Sequence, residues 1–137
     1  MLRYLVDTSA LVRLTQSSVR DHLQSRIARG FVGTCIVTDL EVGHSARSTA
    51  DHARQGALLS DLVPVLITPR AEQRAREIQR DLIAVGTHRA VSVADLLLAA
   101  VADVERLTIL HYDADFDLIA SVTDQPTEWV APRGSID

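Results

Sequence analysis

Short apolar blocks alternate with longer stretches in which apolar residues recur at helical spacing. Leu2-Arg3-Tyr4-Leu5-Val6 is mostly apolar and stops at Asp7, which predicts a short buried strand. Ser9 is placed to cap a helix from Ala10 to about Thr15. Val19, Leu23 and Ile27 recur every fourth residue and mark a second helix, ended by Gly30. Phe31 to Val37 is rich in β-formers and predicts a strand. Thr38 or Asp39 then caps a helix with Leu40 and Val42 early in it. His44 to Arg54 is a polar stretch without an apolar period, and it leads to Leu58, Leu59 and Leu62. Leu62 to Ile67 predicts a short strand that Pro64 keeps at a sheet edge.

The second half is more regular. Pro69 sits at a first helical position, and Ala71, Ala75, Ile78, Leu82 and Val85 give one apolar stripe up to Gly86. Ser92 opens a segment from Leu96 to Ala102 that is apolar nearly all round, the pattern of a central helix. Leu107 to Leu110 predicts a strand, Phe116 to Ala120 a short helix, and Glu128-Trp129-Val130 a last edge strand. Strands alternating with helices predict an α/β sandwich around a largely parallel sheet. No repeat, low-complexity tract or linker divides the chain, so residues 1–137 read as one domain.

Composition narrows the chemistry. A chain of 137 residues buries roughly 68% of its unfolded surface and needs no disulfide or structural metal to fold. Cys35 is the single cysteine, which excludes an intrachain disulfide framework and cysteine-rich zinc modules. All fourteen basic residues are arginine. Without lysine the chain cannot build a P-loop or a Schiff-base site. The net charge of −4 does not advertise a nucleic-acid binder, although local charge placement decides steering. Asp7 arrives too early for a signal peptide, and no apolar run approaches the roughly 20 residues of a membrane span. A cytoplasmic protein is the expectation.

Four acids stand where an acid is locally odd. Asp7 ends the first strand, Glu41 lies between Leu40 and Val42, Asp95 opens the most apolar helix, and Asp113 follows the Leu107–Leu110 strand. Singly, each reads as a helix cap or a solvated charge. Together they have a common destination, because ligands in open α/β sheets bind outside the carboxyl ends of the strands. Two carboxylates about 4 Å apart repel by up to ~4 kcal/mol at an effective dielectric near 20. Such a cluster must take up protons or hold a cation. All-oxygen donors select hard ions, Mg²⁺ or Mn²⁺. A carboxylate-held ion of this kind suits phosphodiester hydrolysis, and it reverses the charge that phosphate meets. Asp113-Ala114-Asp115-Phe116-Asp117 is not a calcium loop, because Leu118 and Asp124 occupy the places of the required Gly and Glu.

Four segments now carry a resemblance: Leu5-Val6-Asp7-Thr8-Ser9-Ala10, Thr38-Asp39-Leu40-Glu41-Val42-Gly43, Ser92 to Ala100, and Leu110-His111-Tyr112-Asp113-Ala114-Asp115-Phe116. In this order and spacing the chain resembles the PIN-domain ribonucleases, specifically VapC-type toxins of type II toxin–antitoxin pairs. The resemblance spans nearly the whole chain. It implies a PIN-like α/β/α sandwich in which Asp7, Glu41, Asp95 and Asp113 form the metal site and Asp115 assists. It matches Thr8 or Ser9 to a small polar residue that supports the first acid. It also implies metal-dependent cleavage of a structured RNA of the tRNA or rRNA class, a homodimer, and a VapB-like antitoxin. His111 is a departure, standing where many members have threonine. Gly43 would leave room beside the Glu41 carboxylate.

Other polar residues read more simply. Arg70, Arg74, Arg76 and Arg80 fit a solvated helix face paired with Glu72, Glu77 and Asp81 better than a phosphate-binding face. The five histidines have no metal-ligand spacing, and His44 reads as a surface residue. Trp129 reads as edge packing and Cys35 as a small buried hydrophobe. Two rival functions use the same acids: a noncatalytic module that binds RNA or an antitoxin, and a metal-dependent DNA nuclease or phosphatase.

Overall fold

The computed structural model describes all 137 residues. Its five strands are β1 (Tyr4–Val6), β2 (Val32–Cys35), β3 (Val63–Val65), β4 (Thr108–His111) and β5 (Thr127–Trp129). They form one sheet in the order β3-β2-β1-β4-β5, and every pair is parallel. The expected α/β architecture is therefore observed. Strands β2 and β3 step to one side of β1 and β4 and β5 to the other, so the strand order reverses between β1 and β4. A crevice opens at such a reversal, beyond the carboxyl ends of the strands.

Seven α-helices make the crossovers that parallel pairing demands. They are α1 (Thr8–Leu11), α2 (Ser17–Ala28), α3 (Ile36–His44), α4 (Thr49–Leu59), α5 (Pro69–Ala84), α6 (Val93–Glu105) and α7 (Asp115–Thr123). Side chains alternate across the strands and feed a core on each face of the sheet. Leu5 and Ile109 point into the larger core with Ile78, Leu82, Leu98, Phe116 and Ile119. Val6 and Leu110 point into the smaller one with Val19, Leu23 and Val42. Leu98 through Ala102 are all at most 1% exposed, as the all-round apolar pattern of α6 requires. Cys35 is fully buried. No helix is long and apolar enough to cross a membrane.

Local chemistry explains the element ends. Thr68 caps α5 ahead of Pro69, and Ser92 caps α6 by accepting from the Asp95 N–H. Gly86 takes a left-handed φ of +78° just after α5. Gly33, in the middle of β2, has a steric role: a Cβ there would lie 2.6 Å from Val65 Cγ2 and 3.1 Å from the Val63 carbonyl oxygen. Pro64 sits in the middle of β3 opposite Thr34, and β3 is an edge strand as expected.

The structure corrects several expected boundaries. Asp7, not Ser9, caps α1, which ends at Leu11 rather than near Thr15. Backbone at Cys35, not Thr38 or Asp39, begins α3, so β2 stops two residues before Val37. The polar stretch before Leu58 folds into α4, which starts at the Ser48 cap and buries no residue. Gly43 faces α4, with open space as far as His52 at 3.8 Å, and makes no room beside Glu41.

Candidate active site

Each acid reaches the crevice on a different element. Asp7 follows β1 directly and is 3% exposed. Its carboxylate serves as the N-cap of α1, accepting from the Ser9 N–H at 3.0 Å and from the Ser9 hydroxyl at 2.6 Å. The same hydroxyl accepts from the Tyr112 N–H at 2.9 Å, so Ser9 ties the end of β1 to the loop after β4. Of the two hydroxyls following Asp7, Ser9 supports it. Thr8 instead donates to Glu41 Oε1 at 2.9 Å.

Glu41 is carried by α3. The Thr38 hydroxyl donates to the Val6 carbonyl at 3.2 Å and fixes the first turn of α3 against the end of β1. Residues three apart share a helix face, so Glu41 comes out on the side that Thr38 docks. Asp39 is occupied elsewhere, accepting from the Thr34 hydroxyl at 2.6 Å.

Asp95 lies in the first turn of α6 and is 7% exposed. Asp113 and Asp115 occupy the loop between β4 and α7 and the start of α7, where the Asp115 N–H donates to Asp113 Oδ1 at 2.9 Å. One oxygen from each of Asp95, Asp113 and Asp115 lies within 4.8 Å of the other two. These three converge most tightly. Asp7 joins them through its charge, which acts directly on Asp95, and Glu41 acts in turn on Asp7.

The titration of the cluster reflects this crowding. Burial, reinforced by the charges of Asp7 and Asp113, pushes Asp95 from 3.8 to about 7. Asp7 is also raised, mainly by burial; its Ser9 hydrogen bonds oppose this and the Glu41 charge adds to it. Asp115 is raised by burial and then by Asp113. Without a cation, the crevice therefore holds part of its charge as protons near neutral pH.

His111 ends β4 beneath this loop and is fully buried. Its Nδ1 accepts from the Asp113 N–H at 3.1 Å, which assigns the ring proton to Nε2. Burial holds its pKa below the usual histidine range, so the ring stays neutral. Its ring packs against Phe116 and Trp129, with centroids 5.1 and 4.9 Å away. An imidazole nitrogen thus takes up the N–H two residues ahead, as a hydroxyl at that position would.

The remaining polar residues lie apart from this arrangement. Asp117 is exposed and meets the Trp129 Nε1–H at 3.4 Å and Arg133 at 4.0 Å. Arg74 pairs with Asp103 and Glu77, and His44 is exposed. A cavity of about 680 Å³ between Leu14, Ile27 and Leu58 contains none of the five crevice acids. Sequence reasoning missed Tyr112 and Arg13, whose contacts with Ser9 leave no local signal.

The chain matches the PIN domain over residues 4–122. Ribonuclease VapC51 of Mycobacterium tuberculosis is 43% identical over 136 residues, covering 99% of this chain and 98% of that one. The chain belongs to the PIN-domain family, in its VapC group. Ribonuclease VapC2 of the same organism is 46% identical over 133 residues, covering 96% of this PIN domain and 94% of its own length. The fold is shared with the DNA-bound VapBC of Salmonella typhimurium at a TM-score of 0.77 and 17% identity, over 96% of this PIN domain and 100% of that chain. VapBC2 of Rickettsia felis, bound to a promoter DNA fragment, gives a TM-score of 0.78 at 16% identity, over 93% and 98%.

Proposed function

We propose that this PIN domain is a divalent-metal-dependent endoribonuclease toxin acting on a structured RNA of the tRNA or rRNA class. The carrying observation is the convergence of Asp95, Asp113 and Asp115 oxygens within 4.8 Å, with Asp7 charge-coupled to Asp95. The donor set fits the ion: all oxygen, partly buried, and carrying more negative charge than it can hold unprotonated. Residues 1–137 act as a single domain in this reading.

The division of labour follows from the contacts. Asp95, Asp113 and Asp115 would hold the cation, Mg²⁺ or Mn²⁺, with Asp7 beside them at the end of β1. Glu41, oriented by the Thr8 hydroxyl, works at the outer edge of the crevice. A cation held there would favour the ionised form of Asp95. A divalent ion here supplies Lewis acidity for attack of water on a phosphodiester and offsets the charge that repels RNA. Ser9 ties the two acid-bearing loops together, and His111 fixes the backbone of the second at Asp113.

The named relatives are ribonucleases, and the solved neighbours are VapBC complexes, which supports a VapB-like antitoxin as partner. A guanidinium from such a partner would bind these carboxylates bidentately and compete with metal. A homodimer and a cytoplasmic location complete the reading. The test is cleavage of total RNA by antitoxin-free protein in Mg²⁺, Mn²⁺ or EDTA, beside Asp95→Asn. Discrete, EDTA-sensitive fragments absent from the variant are expected. No cleavage by folded, metal-binding protein would favour the noncatalytic module. Equal cleavage of DNA would favour a general nuclease.

A further inference from the structure

The carboxyl-terminal segment grips the active-site shell. The Tyr112 hydroxyl donates to the Ile136 carbonyl at 2.8 Å and accepts from the Ile136 N–H at 3.1 Å. Arg13 lies over the Tyr112 ring, 4.7 Å from its centroid. Its guanidinium donates through Nη1 to the Ser9 carbonyl at 2.7 Å and through Nε to the Asp137 carbonyl. Gln16 reaches the same Asp137 carbonyl at 3.4 Å. The Trp129 ring also packs nearly perpendicular to Tyr112, with centroids 5.4 Å apart.

These contacts converge on one hydroxyl. Arg13 holds the backbone of Ser9, Tyr112 offers its N–H to Ser9 Oγ, and Ser9 Oγ donates to Asp7. Tyr112 also directly precedes Asp113. The geometry points to a positioning role for Tyr112 and Arg13: clasped by the backbone of residues 136–137, they set the distance between Asp7 and the Asp113 loop, and hence the affinity of the site for a divalent cation.

The alternative is a plain structural tie. A hydroxyl that both donates to and accepts from one backbone residue orients the ring far more narrowly than a single contact. That orientation passes to a main-chain N–H one residue away from an acid of the site. Because the tail contributes backbone atoms, the clasp tolerates changes of side chain at Ile136 and depends on the phenol of Tyr112.

The inference rests on the metal-site reading, and its test separates the two. Wild type, Tyr112→Phe and Ile136→Val are compared in the full chain, with folding checked by thermal melting. Exchange of the Tyr112 amide is measured in metal-free protein, and Mn²⁺ binding by water-proton relaxation. Tyr112→Phe is expected to exchange that amide faster and bind Mn²⁺ roughly three- to tenfold more weakly, the range for losing an ordinary hydrogen-bonded tie. Ile136→Val is expected to match wild type in both. Unchanged exchange overturns the proposal. Faster exchange with unchanged Mn²⁺ affinity also overturns it, making the clasp a structural tie alone. A wild type that binds no Mn²⁺ overturns the underlying metal-site reading instead.

Discussion

Replacing Asp95 by asparagine should stabilise the metal-free protein, by an amount that grows with pH. The folded state raises the Asp95 pKa from 3.8 to about 7. Between those values the folded chain keeps a proton that the unfolded chain gives up, so the stability this group confers falls as pH rises. A shift of about 3 units corresponds to about 4 kcal/mol above pH 7. This applies without a large solvent discount because the side chain is only 7% exposed. The charges of Asp7, Asp113 and Asp115 push in the same direction as burial, and asparagine escapes all of them. It keeps the shape and remains compatible with the first turn of α6, forgoing roughly 0.3–1 kcal/mol of helix-dipole attraction for the anion. The net expectation is a gain of about 3 kcal/mol at pH 8, shrinking steadily toward pH 5. Urea unfolding in EDTA at pH 5, 6.5 and 8 measures it. A variant no more stable than wild type at pH 8, or a gap that ignores pH, would refute the claim that Asp95 is crowded by acids. Millimolar Mg²⁺ should raise the melting temperature of wild type and leave the variant nearly unmoved.

Two further outcomes follow from single contacts. Ser9→Ala removes the hydroxyl donor to Asp7 and the acceptor for the Tyr112 N–H. It should cost about 1–3 kcal/mol in urea unfolding at pH 7, and a loss below about 0.5 kcal/mol would contradict the bridging role. Gly33→Ala would force a methyl to within 2.6 Å of Val65 Cγ2 against a backbone carbonyl that cannot move away. A loss of about 1–3 kcal/mol is expected from such overpacking, read as a lower melting temperature; an unchanged melt would mean that β2 and β3 separate freely.

The parts of the fold that announced themselves are those whose sequence carries a packing period or a stop. The Ser92 cap and the apolar wall of α6 are both visible as spacing, and so is the Pro69 start of α5. Helix α4 was invisible because Ser48 and Asp51 nucleate it, while none of its residues is buried. Periodicity reports burial, and α4 has little to report. The start of α1 was misread for a related reason. Ser9 reads as the cap from the sequence, whereas the Asp7 carboxylate takes that place and starts the helix at Thr8. Asp7 and Asp113 are legible because they follow strand ends, and Asp95 because it opens the apolar helix α6. The clasp is not. Arg13 and Asp137 are 124 residues apart, and their contact uses a main-chain carbonyl, which no side-chain pattern encodes.

Pro64 closes one route by which two copies of this chain could pair. It occupies the middle of a three-residue strand at the rim of the sheet. A proline there has no N–H to offer a neighbouring molecule, and a strand this short presents little else to pair with. Joining two sheets into one continuous sheet is therefore closed at the β3 rim. Exposed apolar side chains are found instead on helices, among them Ile36 and Leu40 on α3 and Val93 on α6. Those helices also bear Glu41 and Asp95, so contacts between two copies built from them would bring the two crevices close together.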